Sequence, residues 1–260
     1  MYDFSEVHAS TMEILLALAE GLDAIGLSAH TEVPNTSVHA DLMRHWLGAG
    51  MLLSQSCGLP FIEELHTSVN VVGTPLWTDV SDERGRYRTV IVVPESLGIT
   101  SIDQADGLLP VVNNTQSLSG WCSLGVALVN VSNGSIASTP YIQSDGHAAS
   151  LQMLQDGEAD IASIDSATFR LLSRHRPALV NNLRAIGYGP LVPATPIIVS
   201  KSLVADTDEV YRVVSEVFGR SDLRAALDNI GISGFVRLAN SDYDGVMDLV
   251  KTAEVVLPRR

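Results

Sequence analysis

Lysine is almost missing from this 260-residue chain. Only Lys201 and Lys251 occur, and the other fourteen of its 16 cations are arginine. Against 30 acidic residues this leaves a formal net charge of -14. A charge of that size spread over the surface excludes nucleic acid and anionic membrane surfaces as partners. It does not exclude a small anion, because a local site can oppose the global field.

Other absences narrow the field further. Two cysteines, Cys57 and Cys122, do not make a disulfide scaffold, and the reading expects two thiols. No Cys-x-x-Cys or Cys/His cluster has metal-ligand spacing, so no metal is expected. The pairs His39/His45 and His30/His39 lack the i, i+4 spacing of a helical zinc site. There is no G-x-S-x-G elbow, no Walker A motif and no G-x-G-x-x-G, hence no cofactor and no catalytic motif. No apolar run reaches transmembrane length, which argues against membrane insertion. The opening "MYDFSEVHAS" has no basic stretch followed by an apolar one. It reads as lacking a signal peptide, which makes the chain as written cytoplasmic.

What is present is the alternation of an α/β protein. The chain is 46% hydrophobic and 18% charged, long enough for one large or two small domains. Helical spacing runs from Ser5, an expected N-cap, to Gly21, and again over 38–47. "GMLLSQSCG" reads as a strand with Gln55 at its end, and "TVIVVP" as a β-branched strand stopped by Pro94. "LLPVVNN", "ADIASID", "LRAIGYG" and "TPIIVS" read as further strands. Helices are expected over 119–129, from Ser144 or Asp145 to Gln155 with Gly157 as the stop, and over 166–173, 208–219, 221–229 and 243–252. Such alternation implies largely parallel sheets.

Three strand-to-turn junctions carry the polar groups. "VVNNTQSLSGW" leads a strand into a helix through Thr115, Ser117, Ser119 and Gly120, with no cation. A helix N-terminus at a strand's carboxyl end can bind an anion through backbone N–H groups and hydroxyls alone. Taken by itself, the stretch reads better as an ordinary N-cap. "QSDGHAAS" repeats the pattern with Ser144 and His147. "ASIDS" places Asp165 at the next strand end, either as a ligand contact or as a helix cap. Together the three junctions point polar groups to one sheet edge, which is what a binding cleft needs. Cys57 in "SQSCGLPF" reads as a packing residue rather than a nucleophile.

In order, "VNNTQSLSGW", "QSDGHAASLQMLQDGEADIASIDSATFRLL" and "LRAIGYGP" resemble the phosphate/phosphonate-type substrate-binding proteins of ABC transporters. "SQSCGLPF" and "RYRTVIVVP" upstream fit as well, so the resemblance runs from about residue 1 to 206. It implies a two-lobed type II periplasmic-binding-protein fold. Lobe 1 would hold 1–92 and 190–260, and lobe 2 would hold 93–189. "TVIVVP" and "AIGYG" would be the hinge crossings, with ligand in the cleft between the lobes. The family's S-T-S-G turn is matched by Ser117 and Ser119, with Leu118 in place of Thr. Its next element is matched by Ser144 and His147, and Asp165 and Gln55 fall at further contact positions. The resemblance implies a non-enzymatic binding protein for a small oxyanion, with an ABC permease as partner and an extracytoplasmic site of action. The alternatives are a cytosolic biosynthetic enzyme, with His147 and Asp165 as an acid–base pair, or a ligand sensor on the same fold.

Overall fold

The computed structural model describes residues 2–28, 30–34, 36, 38–129, 131, 140–204 and 206–259. It divides into two compact units. One comprises Met1–Tyr87 and Pro193–Asp244, the other Arg88–Val192 and Gly245–Arg260.

The first unit is built on a four-stranded sheet in the order Leu53–Gln55, Ile197–Ser200, Val69–Trp77, Ile232–Val236, antiparallel throughout. Val69–Trp77 is nine residues long and almost wholly buried, yet Gly73 and Pro75 interrupt its apolar pattern. Gly73 is required by close approach. A Cβ there would lie 2.3 Å from the Val236 carbonyl oxygen and 2.7 Å from the Phe235 ring. The helices His8–Asp23, Thr207–Phe218 and Arg224–Ile230 bury aliphatic faces such as Leu18 and Leu22, Val213 and Val217, and Leu227. The first of these begins after Val7, not at Ser5, and its N-cap makes no side-chain bond.

The second unit holds a five-stranded mixed sheet in the order Ile142–Gln143, Pro110–Val112, Ile161–Ile164, Val90–Pro94, Leu183–Tyr188. Pro110–Val112 runs parallel to both its neighbours. Val90–Pro94 runs antiparallel to Ile161–Ile164 and to Leu183–Tyr188. The α/β reading therefore holds, but the sheets are mixed rather than largely parallel. Local periodicity reports a strand, whereas its direction depends on which distant segment pairs with it. The two segments expected as hinge crossings are partners of one another in this sheet.

The expected lobe 1 takes in 190–260, whereas the compact unit that holds the helix Val246–Val256 is the second, Arg88–Val192 with Gly245–Arg260. The contact is tight: a Cβ on Gly125, in the helix Ser123–Leu128, would lie 2.7 Å from the Ala253 Cβ.

Because three strands of this second sheet are mutually parallel, their carboxyl ends share one edge. Val112, Gln143 and Ile164 stand there, and the three polar turns follow them.

Candidate functional site

The first turn starts at Asn113. Gln116 N–H donates to the Asn114 side chain at 3.0 Å, closing a local turn around Thr115, which is half-buried. Ser117 then caps the next helix, its Oγ accepting from Gly120 N–H at 2.9 Å. This is the ordinary N-cap that the sequence suggests for this stretch, made by Ser117.

The helix opens with one π-helical turn, Leu118–Cys122. Cys122 N–H donates to the Ser117 carbonyl at 3.0 Å, a bond spanning five residues. Such widened turns concentrate at functional sites. This one leaves Ser119 buried, with its hydroxyl facing a different element. Ser119 Oγ lies 2.9 Å from His147 Nε2 and 3.3 Å from Ser117 Oγ. Its carbonyl oxygen lies 2.6 Å from Ser163 Oγ, which is 2.8 Å from the Thr89 hydroxyl. Ser119 is thus gripped through its side chain and through its backbone.

His147 is the first residue of the helix His147–Gln155. Neither Ser144 nor Asp145 caps that helix; the N-cap is Gly146, which makes no side-chain bond. Asp145 instead has a left-handed φ of 65° and accepts from Gln143. Ser144 Oγ sits 2.7 Å from Ser150 Oγ and 3.1 Å from the Gly146 carbonyl, so its hydroxyl ties the turn together.

Burial lowers the His147 pKa to about 4, with the Asp165 charge acting in the opposite direction. Desolvation is the largest cause of the shift. The ring is therefore neutral near pH 7, with one N–H donor and one lone pair. Nε2 faces Ser119. Nδ1 is buried and has no hydrogen-bond partner among the described residues.

Asn113 Oδ1 is a second buried polar atom without such a partner. A Cβ on Gly120 would lie 1.8 Å from it. Gly120 is thus required by a close approach inside the protein. In the structure the space is taken by the Asn113 carboxamide.

Asp165 is fully buried and caps the helix Ser166–His175, accepting from Thr168 N–H at 2.8 Å. Of its two open readings, the cap is realised. Gln55 belongs to the other unit, where its amide donates to Thr195 Oγ1 at 2.9 Å. The structure thus brings Ser117, Ser119, Gly120 and His147 together and shows Ser144 and Asp165 engaged in their own turns.

Sequence reasoning misses Asn113, Ser163 and Thr89, all buried. Ser163 stands inside the strand Ile161–Ile164. The one available signal was a polar residue in the middle of an otherwise buried run. Cys57 and Cys122 are thiols rather than halves of a disulfide. Among the described residues no group of three or more His, Cys, Asp or Glu could hold a metal ion. No helix among them is long and apolar enough to cross a membrane.

The family model for periplasmic substrate-binding proteins of phosphonate ABC transporters matches residues 60–243, which include all three turns. The chain belongs to this family. Its members are transport binding proteins. PhnD1 from Prochlorococcus marinus, solved with methylphosphonate, superposes with a TM-score of 0.76 at 12% identity, covering 96% of this chain and 95% of that one. A binding-protein component of an ABC phosphonate transporter from Pseudomonas aeruginosa gives 0.73 at 13% identity, covering 97% and 84%. A Xanthomonas citri protein bound to ATP gives 0.71 at 14%, covering 96% and 94%. At these identities the structures establish the fold. No curated protein matches the chain in sequence. The family match leaves out Gln55 and the segment after residue 243.

Proposed function

We propose that this chain binds a small phosphonate or closely related oxyanion and presents it to an ABC permease, acting outside the cytoplasm as its family does. The ligand's oxygens are held at the first two turns of the second unit, by Ser117, Ser119 and His147 and by the backbone N–H groups of the two helix starts. One observation carries this reading. The Ser119–His147 hydrogen bond joins two helix N-termini, and His147 Nδ1 is left buried without a partner among the described residues. An unsatisfied buried polar atom costs about 1–3 kcal/mol. A ligand that completes the histidine's hydrogen bonding recovers that cost on binding.

No lysine or arginine side chain takes part in this set, and the imidazole is neutral. The ligand's charge then faces fixed dipoles: N–H groups at helix starts, each helix end carrying roughly half a unit charge. Such dipoles need no salt partner and reorganise little when the anion enters.

The enzyme reading has weaker support. Its acid–base pair is His147 and Asp165, and one Asp165 oxygen already accepts the Thr168 N–H that caps a helix. Gln55, in the other unit, is not part of the proposed set.

Calorimetric titration against methylphosphonate, phosphate, phosphite and methanesulfonate tests the proposal. Saturable binding of at least one of the phosphorus oxyanions is expected. Flat titrations across the panel would overturn it.

A further inference from the structure

Beyond the helix Val246–Val256, the chain runs back over both elements that carry the proposed site. Leu257 is fully buried, and its carbonyl oxygen accepts from Trp121 Nε1–H at 2.9 Å. The Pro258 carbonyl accepts from the Tyr141 hydroxyl at 3.0 Å. The Arg259 guanidinium lies over the Trp121 ring, 4.4 Å from its centroid, and its Nε is 3.3 Å from the Glu254 carboxylate.

The positions of the two anchors in the chain are what matter. Trp121 directly follows Gly120, inside the π turn that carries Ser119. Tyr141 directly precedes the strand Ile142–Gln143, which delivers Ser144 and His147. Three consecutive residues therefore grip one turn from behind and the other at the foot of its strand. The bonds are reciprocal. Carbonyls at a helix end have no partner within the helix, and a buried indole N–H needs an acceptor.

We propose that Trp121 and Tyr141 are positioning residues for the anion site, and that the strap Leu257–Arg259 sets the spacing between Ser119 and His147. The inference rests on the functional reading above for what the spacing serves. A hydrogen bond of 2.9 Å tolerates little displacement before it is lost, and a binding constellation loses function when its support loosens by about 1 Å. Neither anchor touches the ligand in this scheme. Each acts through the turn next to it.

The test uses the full-length chain carrying Tyr141→Phe or Trp121→Phe, changes that delete one donor and keep an aromatic ring. Amide hydrogen exchange is measured without ligand, and methylphosphonate affinity is measured well below the melting temperature. The expected result is exchange about fivefold faster at residues 118–122 and 147–150, the equivalent of one hydrogen bond of ordinary strength. Exchange in the helix Ser166–His175 should stay unchanged, and methylphosphonate affinity should fall by about the same factor. A lowered melting temperature with unchanged exchange at both turns would overturn the proposal, since the strap would then only add stability. Tyr141, half-buried, keeps the test decisive if the Trp121 variant fails to fold. If the wild-type chain binds no oxyanion, the functional reading fails. The exchange measurement still decides whether the strap holds the turns.

Discussion

Ser119 Oγ and His147 Nε2 lie 2.9 Å apart although 28 residues separate them in the chain. Each stands at the start of a helix that follows one of two adjacent parallel strands, and the bond joins those helix starts directly. The proposed site is organised around that contact.

The two residues should therefore fail together. Ser119→Ala and His147→Ala are each expected to weaken methylphosphonate binding by about 1.5–3 kcal/mol, the range for a hydrogen bond to a charged group. The double variant should lose less than the sum, with a coupling of at least about 0.5 kcal/mol. Isothermal calorimetry on the four proteins reads this directly. Strict additivity would mean that the contact plays no part in binding.

Acid should destabilise the fold through His147. Its pKa is about 4 when folded, against 6.5 for the unperturbed group. Between those values the unfolded chain takes up a proton that the folded chain does not, so stability falls as pH drops from about 6.5 to about 4. The full contribution is about 3 kcal/mol at roughly 1.4 kcal/mol per pH unit. Urea titrations at pH 7 and pH 4.5 should show it, and His147→Gln should flatten the slope in that window. An unchanged slope in the variant would assign the acid sensitivity to other groups.

Gly120→Ala should destabilise the second unit. The added methyl would stand 1.8 Å from Asn113 Oδ1, and relief requires the carboxamide to move. A loss of about 1–3 kcal/mol is expected for overpacking of this kind. Adding Asn113→Ala should restore much of it, which chemical denaturation of the double variant would reveal. A neutral single variant would show that the carboxamide moves freely.

Gly73→Ala should damage the first unit in a way no neighbouring substitution repairs. The clash there includes the backbone oxygen of Val236 at 2.3 Å as well as the Phe235 ring. Shortening Phe235 relieves only part of it. Thermal unfolding of Gly73→Ala and of Gly73→Ala with Phe235→Leu should show both well below the wild type. Full rescue by the second change would place the conflict on the ring alone.

The three turns were legible because each is a local event. A β-branched run ends, small polar residues follow, and helical spacing begins, as at Val112 to Ser119. What sequence could not supply is who pairs with whom. Val69–Trp77, the longest strand, was hidden by Gly73 and Pro75, residues that make sense only against Phe235 and Val236. The direction of Val90–Pro94 depends on Ile161–Ile164 and Leu183–Tyr188, each about 70 or more positions away in the chain. Ser163 is missed for the same reason. A small polar residue in a buried strand looks like tolerance until its partner, here the Ser119 backbone, is known. Asp165 stayed open between two roles because a carboxylate at a strand end suits both a cap and a contact. Only the Thr168 bond separates them.

The bond from Trp121 to Leu257 spans 136 positions. A ribosome working at about 5–20 residues per second needs on the order of ten seconds to cover that distance. During that interval the indole has no acceptor from the strap, and the face of Ser123–Leu128 that meets Ala253 is uncovered. The second unit is therefore finished last, although most of it is made before Pro193. Whatever guards a newly made chain against aggregation has to guard this one until residues 246–259 have emerged.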